Sequence, residues 1–281
     1  MAKRILSTII LWVVSLAVLW MFRTPGAVAL IATFAVLALR EFYRLQAAAG
    51  RAPFAWLGMF FGALIAAAPW TEARFGWPAH PLLALAVVIC AIRILGERPP
   101  AQRVEALAST IFGLVYVALM LQYLVRIITP TGAGDPFSAG GRLLLCLWLV
   151  AVAKFCDVGA LVTGLLIGRH PMAPVISPKK TWEGAVGGVV IAMLIGAWVA
   201  ALARGCGRGH WPADLTPLRA ALIALPIAVV AIVSDLVESV IKRQADIKDS
   251  GHAVPGIGGI FDVVDSLLLT APVGYFLLGM R

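Results

Sequence analysis

The segment SDLVESVIKRQADIKDSGHAVPGIGGIFDVVDS, residues 234–266, is a polar stretch between two apolar runs of a mostly apolar chain. If its first part is helical, its polar residues from Asp235 to Asp249 share one face, at steps of three and four. A loop rich in glycine and proline follows, and Asp262 and Asp265 then open the next apolar run. Carboxylates near a membrane are costly unless they are solvated, paired or metal-bound. The segment therefore predicts a site for metal and phosphate.

The composition predicts a polytopic membrane protein. The chain has 281 residues, of which 61% are hydrophobic and 13% charged, whereas a soluble domain carries about 25% charge. The net charge of +9 does not indicate a nucleic-acid partner, because Lys and Arg in such a protein set topology and meet anionic lipid headgroups. The four cysteines form no CxxC pair, so neither a zinc site nor a disulfide framework is indicated.

Hydropathy predicts an all-α fold of about nine transmembrane helices, since each span needs about 20 apolar residues. The predicted spans are 5–22, 26–46, 54–70, 81–96, 107–128, 142–168, 182–203, 218–240 and 260–280. We expect residues 1–140 to form a scaffold of about five spans. Residues 141–281 would form the catalytic part, with about four spans and two cytoplasmic loops.

The distribution of Lys and Arg predicts the orientation. With the N-terminus inside, the inner segments hold about twice as many of these residues as the outer ones. The loops 169–181 and 240–260 then lie on the same side and can meet. We read the first apolar run as an uncleaved anchor. The chain is thus predicted to be an integral protein of a bacterial-type inner or plasma membrane, with its N-terminus and active site in the cytoplasm.

Lys154 and Asp157 lie inside the sixth predicted span. A carboxylate within the membrane is a functional candidate. The two residues are three apart on one helix face, so a structural ion pair explains them equally well. The residues alone leave both interpretations open.

The segment Ser177–Gly184 reads SPKKTWEG and leads into the seventh predicted span. Ser177 would cap a helix with Pro178 at its first position. Lys179 and Lys180 would then stand near a positive helix end, where phosphate oxygens bind well. A basic inner loop that obeys the topology rule is the alternative.

Asp262 and Asp265 head an apolar span with no basic residue beside them in the sequence. A divalent cation would supply the missing charge, and Mg²⁺ suits carboxylate and phosphate oxygens. Asp235 and Glu238 could add ligands from the end of the eighth span. The alternative is an amphipathic surface helix whose charges neutralise one another.

Together these segments resemble the phosphatidate cytidylyltransferase (CDP-diacylglycerol synthase) family over roughly the C-terminal half of the chain. SPKKTWEG is similar to a marker of that family, and Asp157 with Gly159 looks like its aspartate in the preceding span. The C-terminal pattern matches in order and spacing through Ser239, Lys242, Arg243, Lys248, Asp249, Pro255, Gly256, Gly258, Gly259, Asp262 and Asp265. Two positions depart from it: Ile257 stands where the family usually has His, and Val263 where it usually has Arg.

The resemblance implies transfer of a cytidylyl group from CTP to phosphatidate, giving CDP-diacylglycerol and pyrophosphate, on Mg²⁺ alone or with a second divalent or monovalent cation. The implied metal ligands are Asp157, Asp235, Asp262 and Asp265, and these with Lys179 and Lys180 are the implied catalytic residues. The implied substrate-binding residues are Ser177, Thr181, Glu183, Ser239, Lys242, Arg243, Lys248, Asp249, Gly258 and Gly259. The implied partners are CTP, phosphatidate and the lipid bilayer, and a homodimer stays open.

Three alternatives remain at this stage. Ile257 and Val263 favour another lipid phosphate or another nucleotide as substrate. A non-catalytic paralogue would bind nucleotide without forming product. Lys154 and Asp157 would also suit an ion-coupled transporter, but a transporter is expected to show related halves with paired broken helices. Here the polar residues are concentrated in the C-terminal half.

Overall fold

The computed structural model is almost entirely helical. It describes residues 2–96, 100–130, 137–205, 211–247, 250–251 and 258–280. The elements among these residues are α1 (Ala2–Ala48), α2 (Ala55–Phe75), α3 (Pro81–Arg93), α4 (Pro100–Gly113), a π-helical segment (Leu114–Leu119), α5 (Met120–Ile128), α6 (Ala139–Ile167), β1 (Pro171–Ala173), β2 (Ser177–Thr181), α7 (Trp182–Gly205), α8 (Pro217–Gln244) and α9 (Ile260–Leu277). The predicted all-α fold is confirmed, apart from one small sheet.

Six of the described helical stretches are long and apolar enough to cross a membrane. They lie in α1, in the stretch from α4 to α5, and in α6, α7, α8 and α9. Helix α3 is apolar but has only 13 residues, short of the length that a span needs. Each of the nine predicted stretches falls largely on a helix, but the count of nine spans is not confirmed.

Large apolar side chains cover the outer faces of these helices. Trp56 is 83% exposed, and Leu165 and Leu166 are also exposed. A soluble protein rarely exposes contiguous apolar surface on this scale, whereas lipid tails would cover it. The chain is an integral membrane protein.

Helix α1 is broken at Arg23, between the first two predicted spans. Arg23 has φ 49° and ψ −131°, a conformation that is unfavourable for a residue with a side chain. Pro25 follows and has no N–H to continue the helical ladder. A Cβ at Gly26 would lie 2.8 Å from the Val18 carbonyl oxygen, so the break needs glycine there. The sequence placed this boundary correctly.

The segment that leads into α7 is a strand, not a capped helix. Ser177–Thr181 pairs antiparallel with Pro171–Ala173, so the predicted helix start at Ser177 and Pro178 is wrong. The capping role belongs to Thr181, whose Oγ1 accepts the Gly184 N–H at 3.1 Å. The hairpin is too short to show an alternating pattern, which is why sequence reading missed it.

Helix α8 ends earlier than the predicted polar face. Its last residue is Gln244, and Asp246 takes a positive φ of 54°, which stops the helix. The predicted face therefore holds from Asp235 to Arg243 only, and Asp246 lies past its end. Asp249 lies outside the described residues.

The chain forms two compact units that interleave along the sequence. Unit 1 consists of Met1–Arg126 and Ile241–Val264, and unit 2 of Ile127–Val240 and Asp265–Arg281. In unit 1 the rings of Phe42 and Phe261 pack with centroids 5.9 Å apart. The predicted division at residue 140, into scaffold and catalytic parts, is a division of function and stays a prediction.

Glycines bring α6 and α7 of unit 2 into close contact. A Cβ at Gly188 would lie 2.7 Å from the Cys156 carbonyl oxygen, and one at Gly159 would lie 2.9 Å from the Ile191 Cβ. The buried Trp148 indole N–H donates to the Gly196 carbonyl at 3.0 Å. Small residues permit this approach of two backbones, so α6 and α7 pack closely against each other.

We expect Gly188→Ala to lower the apparent melting temperature of the purified protein in detergent. The added methyl group would push α7 away from α6, and overpacking of this kind costs about 1–3 kcal/mol. Gly205→Ala is the matched control, because no atom of the described residues beyond its own stretch of helix lies within 4 Å of its added Cβ. Equal melting temperatures for the two variants would contradict the close packing.

Candidate functional site

Three carboxylates of unit 2 form an acidic cluster: Asp235 and Glu238 on α8, and Asp265 on α9. One oxygen from each lies within 4.8 Å of the others. The spacing of three residues puts the first two on one face of α8. Among the described residues these are the side chains grouped closely enough to share one metal ion.

Ser234, which is fully buried, fixes α8 against α9 at this cluster. Its hydroxyl donates to the main-chain oxygen of Asp265 and accepts the Leu269 N–H at 3.4 Å. These two main-chain groups are four residues apart, the pair that a regular helix would bond directly. The hydroxyl therefore ties the start of α9 to α8, and Asp265 is held beside Asp235.

Lys154 of α6 pairs with one carboxylate of the cluster, Asp265, and with Asp157 on its own helix. Its Nζ lies 3.3 Å from Asp157 Oδ2 and 3.3 Å from Asp265 Oδ1, and it donates to Ser266 Oγ at 2.7 Å. Asp265 has no basic neighbour in the sequence, but Lys154 reaches it from a helix far away in the sequence. The ion pair with Asp157, left open by the sequence, is present.

Lys180 joins the hairpin to the acidic cluster. Its Nζ lies 2.7 Å from Asp235 Oδ2, and β2 holds it there because the strand pairs with β1. Lys179, its neighbour on β2, is exposed. The two lysines thus differ in role: one is already paired in the site and the other faces outward at its edge.

A cavity of about 280 Å³ lies within unit 2, and Asp235 is the member of the acidic cluster that lines it. It brings together the predicted residues Asp157, Asp235, Lys179, Lys180 and Thr181. Apolar side chains form the rest of the lining, among them Leu161, Leu165 and Ile232. The cavity therefore joins a charged end to an apolar wall.

Asp262 has a different environment, in unit 1. It pairs with Lys242 at 3.1 Å and accepts the main-chain N–H groups of Ser250, at 3.2 Å, and Gly259, at 2.8 Å. Gly259 directly precedes α9, so Asp262 caps the start of its own helix, as the acid at the third helical position of a capping box does. It too has a basic partner that sequence adjacency did not reveal. Its predicted part in the metal site stays a prediction.

The other predicted residues are spread around these groups. Glu183 accepts the N–H groups of Arg169, at 3.1 Å, and His170, at 3.2 Å, and pairs with the His170 ring, which fastens the hairpin to α7. Gly258 has φ 132°, a conformation that favours glycine. The structure places Ser177 half-buried on β2, Ser239 half-buried on α8 and Arg243 exposed on α8. Lys248, Asp249, Pro255, Gly256 and Ile257 lie outside the described residues.

The chain is thus a helical membrane protein whose cavity holds two lysines and two carboxylates, groups that suit a phosphate ligand. The chain is a member of the cytidylyltransferase family, whose model matches residues 2–280.

Named relatives match over most of the chain. A phosphatidate cytidylyltransferase of Synechocystis sp. is 30% identical over 271 residues, covering 88% of this chain and 86% of the relative. One from Mycobacterium bovis is 31% identical over 219 residues, covering 72% of this chain and 66% of the relative. Phosphatidate cytidylyltransferase 5, chloroplastic, of Arabidopsis thaliana is 32% identical over 276 residues, covering 91% of this chain and 65% of the relative.

The acidic cluster fits the divalent cation that membership of this family suggests. Its donors are all carboxylate oxygens, the ligands that hard divalent cations prefer. Oxygens within 4.8 Å of one another can meet on one ion at bond lengths of about 2.0–2.6 Å. Asp157 has Lys154 as its partner, so it borders the cluster through that ammonium group.

We expect Lys154→Met to lower the stability of the protein in detergent, because Asp157 and Asp265 would lose a shared cation. Removing one partner of a buried pair costs about 3–5 kcal/mol, and partial exposure here reduces our expectation to about 2 kcal/mol. Arg219→Met is the matched control, since its pair with Asp214 is exposed and is worth about 1 kcal/mol or less. Thermal unfolding would compare them, and equal losses would contradict a structural role for Lys154.

Proposed function

We propose that the protein transfers a cytidylyl group from CTP to phosphatidate, forming CDP-diacylglycerol and pyrophosphate. Family membership and the names of the relatives support this reaction. The observation that carries it is the unit 2 cavity, in which Lys179, Lys180 and two carboxylates meet an apolar wall. Those are the chemical groups that a lipid phosphate requires.

The chemical problem is to bring two polyanions together. The phosphate of phosphatidate is already an anion when it attacks the α-phosphorus of CTP, so a strong general base is not required. Catalysis then depends on positioning and on charge neutralisation. Lys179 and Lys180 would hold phosphate oxygens. The ion pair with Asp235 fixes the Lys180 ammonium before substrate binds, which reduces the reorganisation needed during the reaction.

The acidic cluster of Asp235, Glu238 and Asp265 would hold Mg²⁺. That ion, when bound, would neutralise phosphate charge and help to align the reacting groups. Asp265 would be oriented by Lys154, and Ser234 would hold its main chain. We assign Asp262 to positioning the start of α9 rather than to metal binding, because it accepts two main-chain N–H groups there and, among the described residues, does not group with the acids that could share an ion.

The apolar part of the cavity would take the lipid end of the acceptor. Leu161 and Leu165 on α6 and Ile232 on α8 line it, and Leu161 and Leu165 are also exposed on the outside of α6. An acyl chain could thus remain among apolar groups while the phosphate reaches the lysines. This arrangement supports a membrane lipid as acceptor over a soluble phosphate.

The excess of Lys and Arg in alternate connections supports an N-terminus and an active site in the cytoplasm. CTP would then reach the lysines from the aqueous side of the inner or plasma membrane. A homodimer remains compatible with this arrangement. Val263 carries no hydrogen-bond donor on its side chain, and it favours, as the second candidate, a different lipid phosphate in the same reaction.

We expect the purified protein with Mg²⁺ and phosphatidate to move label from the α-phosphorus of CTP into the lipid phase. Label at the γ-phosphorus should instead appear in pyrophosphate and serves as the control for the bond that breaks. Polyprenyl phosphate, tested in parallel, separates the two candidate acceptors, and other nucleotides test the choice of donor. Lys180→Met should lower kcat/KM about 100-fold, the usual scale for removing one electrostatic contact to the transition state. Folded wild-type protein that labels no lipid would contradict the proposal.

A further inference from the structure

Glu41 is a buried acid in the N-terminal half of the chain, where no motif indicates a chemical role. It lies on α1 and is 5% exposed. Its Oε2 accepts the Phe261 N–H at 2.8 Å and the Ser250 hydroxyl at 2.9 Å. All three residues belong to unit 1. A buried carboxylate is stable only with such donors around it, so these contacts define what Glu41 holds.

The Phe261 N–H is one of the first-turn donors of α9 that no residue within the helix can satisfy. A side-chain oxygen on the N-cap residue, the one just before the helix, normally accepts such an N–H, but here that residue is Gly259. Glu41 supplies the missing oxygen from another helix. Its negative charge is also favourable at a helix N-terminus.

Two glycines leave room for the Glu41 carboxylate. A Cβ at Gly251 would lie 2.6 Å from Glu41 Oε1, and a Cβ at Gly259 would collide with Glu41 Oε2 and with the Ser250 hydroxyl. Packing against Glu41 within unit 1 therefore requires glycine at these two positions. Close approach to a nucleotide is not needed to explain them.

Ser250 links Glu41 to the charged pair of the same unit. Its hydroxyl donates to Glu41 while its main-chain N–H donates to Asp262, at 3.2 Å to Oδ2. Asp262 in turn pairs with Lys242 at 3.1 Å. A continuous path of hydrogen bonds thus runs from the buried acid on α1 to Lys242, which the sequence predicts to bind substrate.

We propose that Glu41 is a positioning residue: it caps α9 in place of a side chain at Gly259 and, through Ser250, fixes Asp262 and Lys242. This inference rests on the proposed cytidylyl transfer. Glu41 itself touches no reacting atom. Its effect on the reaction comes from the positions of Asp262 and Lys242, and the sequence predicts that Lys242 binds substrate.

The test uses the full-length protein in detergent with Glu41→Leu, which removes both acceptor oxygens, and Glu41→Gln, which keeps one. Tyr43→Phe is the matched control. Tyr43 lies on the same helix as Glu41, and its hydroxyl donates to the buried Thr110 carbonyl of α4 at 3.0 Å. Hydrogen exchange of peptides covering 258–266 is measured without substrate, and kcat and KM for CTP are measured separately.

We expect Glu41→Leu to speed exchange at the start of α9 about tenfold or more and to lower kcat about tenfold through misplaced groups. Glu41→Gln should fall between it and wild type. Tyr43→Phe should lower the melting temperature but leave this exchange and kcat unchanged. Unchanged exchange in Glu41→Leu would overturn the cap, and faster exchange with unchanged kcat would overturn the positioning role. Inactive wild-type protein would instead reject the proposed function, while the exchange comparison still decides the cap.

Discussion

The need to neutralise charge among apolar helices governs the structure of unit 2. Asp157, Asp235 and Asp265 lie on helices that are long and apolar enough to cross a membrane, where an unpaired carboxylate is costly. Lys154 and Lys180 provide the compensating charge. Two lysines thus pair with three carboxylates, and the negative charge that remains in the acidic cluster is what a divalent cation would neutralise.

The fold was largely readable from hydropathy, because a span is specified by a local run of apolar residues. The break at Arg23 was also readable, since Pro25 and Gly26 signal it locally. The hairpin Ser177–Thr181 was not, because its pairing depends on residues 171–173 and its pattern is too short to detect. The early end of α8 was missed because charge periodicity continues through Asp246 after the backbone has left the helix.

Motif and spacing singled out the carboxylates and lysines that the structure brings together in unit 2, but not most of their pairings. Lys154 was visible in the sequence only as a neighbour of Asp157, and its contact with Asp265 depends on how α6 and α9 pack. Asp262 and Asp265 look equivalent in sequence, three residues apart. In the structure Asp262 accepts main-chain N–H groups at the start of α9, whereas Asp265 joins the acidic cluster. Glu41 gave no signal, since a lone acid in an apolar helix has no motif.

Binding of Mn²⁺, a paramagnetic substitute for Mg²⁺, to the purified protein tests the central claim most directly, and electron paramagnetic resonance can measure it without turnover. We expect wild-type protein to bind Mn²⁺ at a saturable site. Asp265→Asn should lose this binding, whereas Asp262→Asn, three residues earlier on the same helix, should keep it. Equal binding by the two variants, or loss in Asp262→Asn alone, would contradict the assignment of Asp235, Glu238 and Asp265 as the metal site.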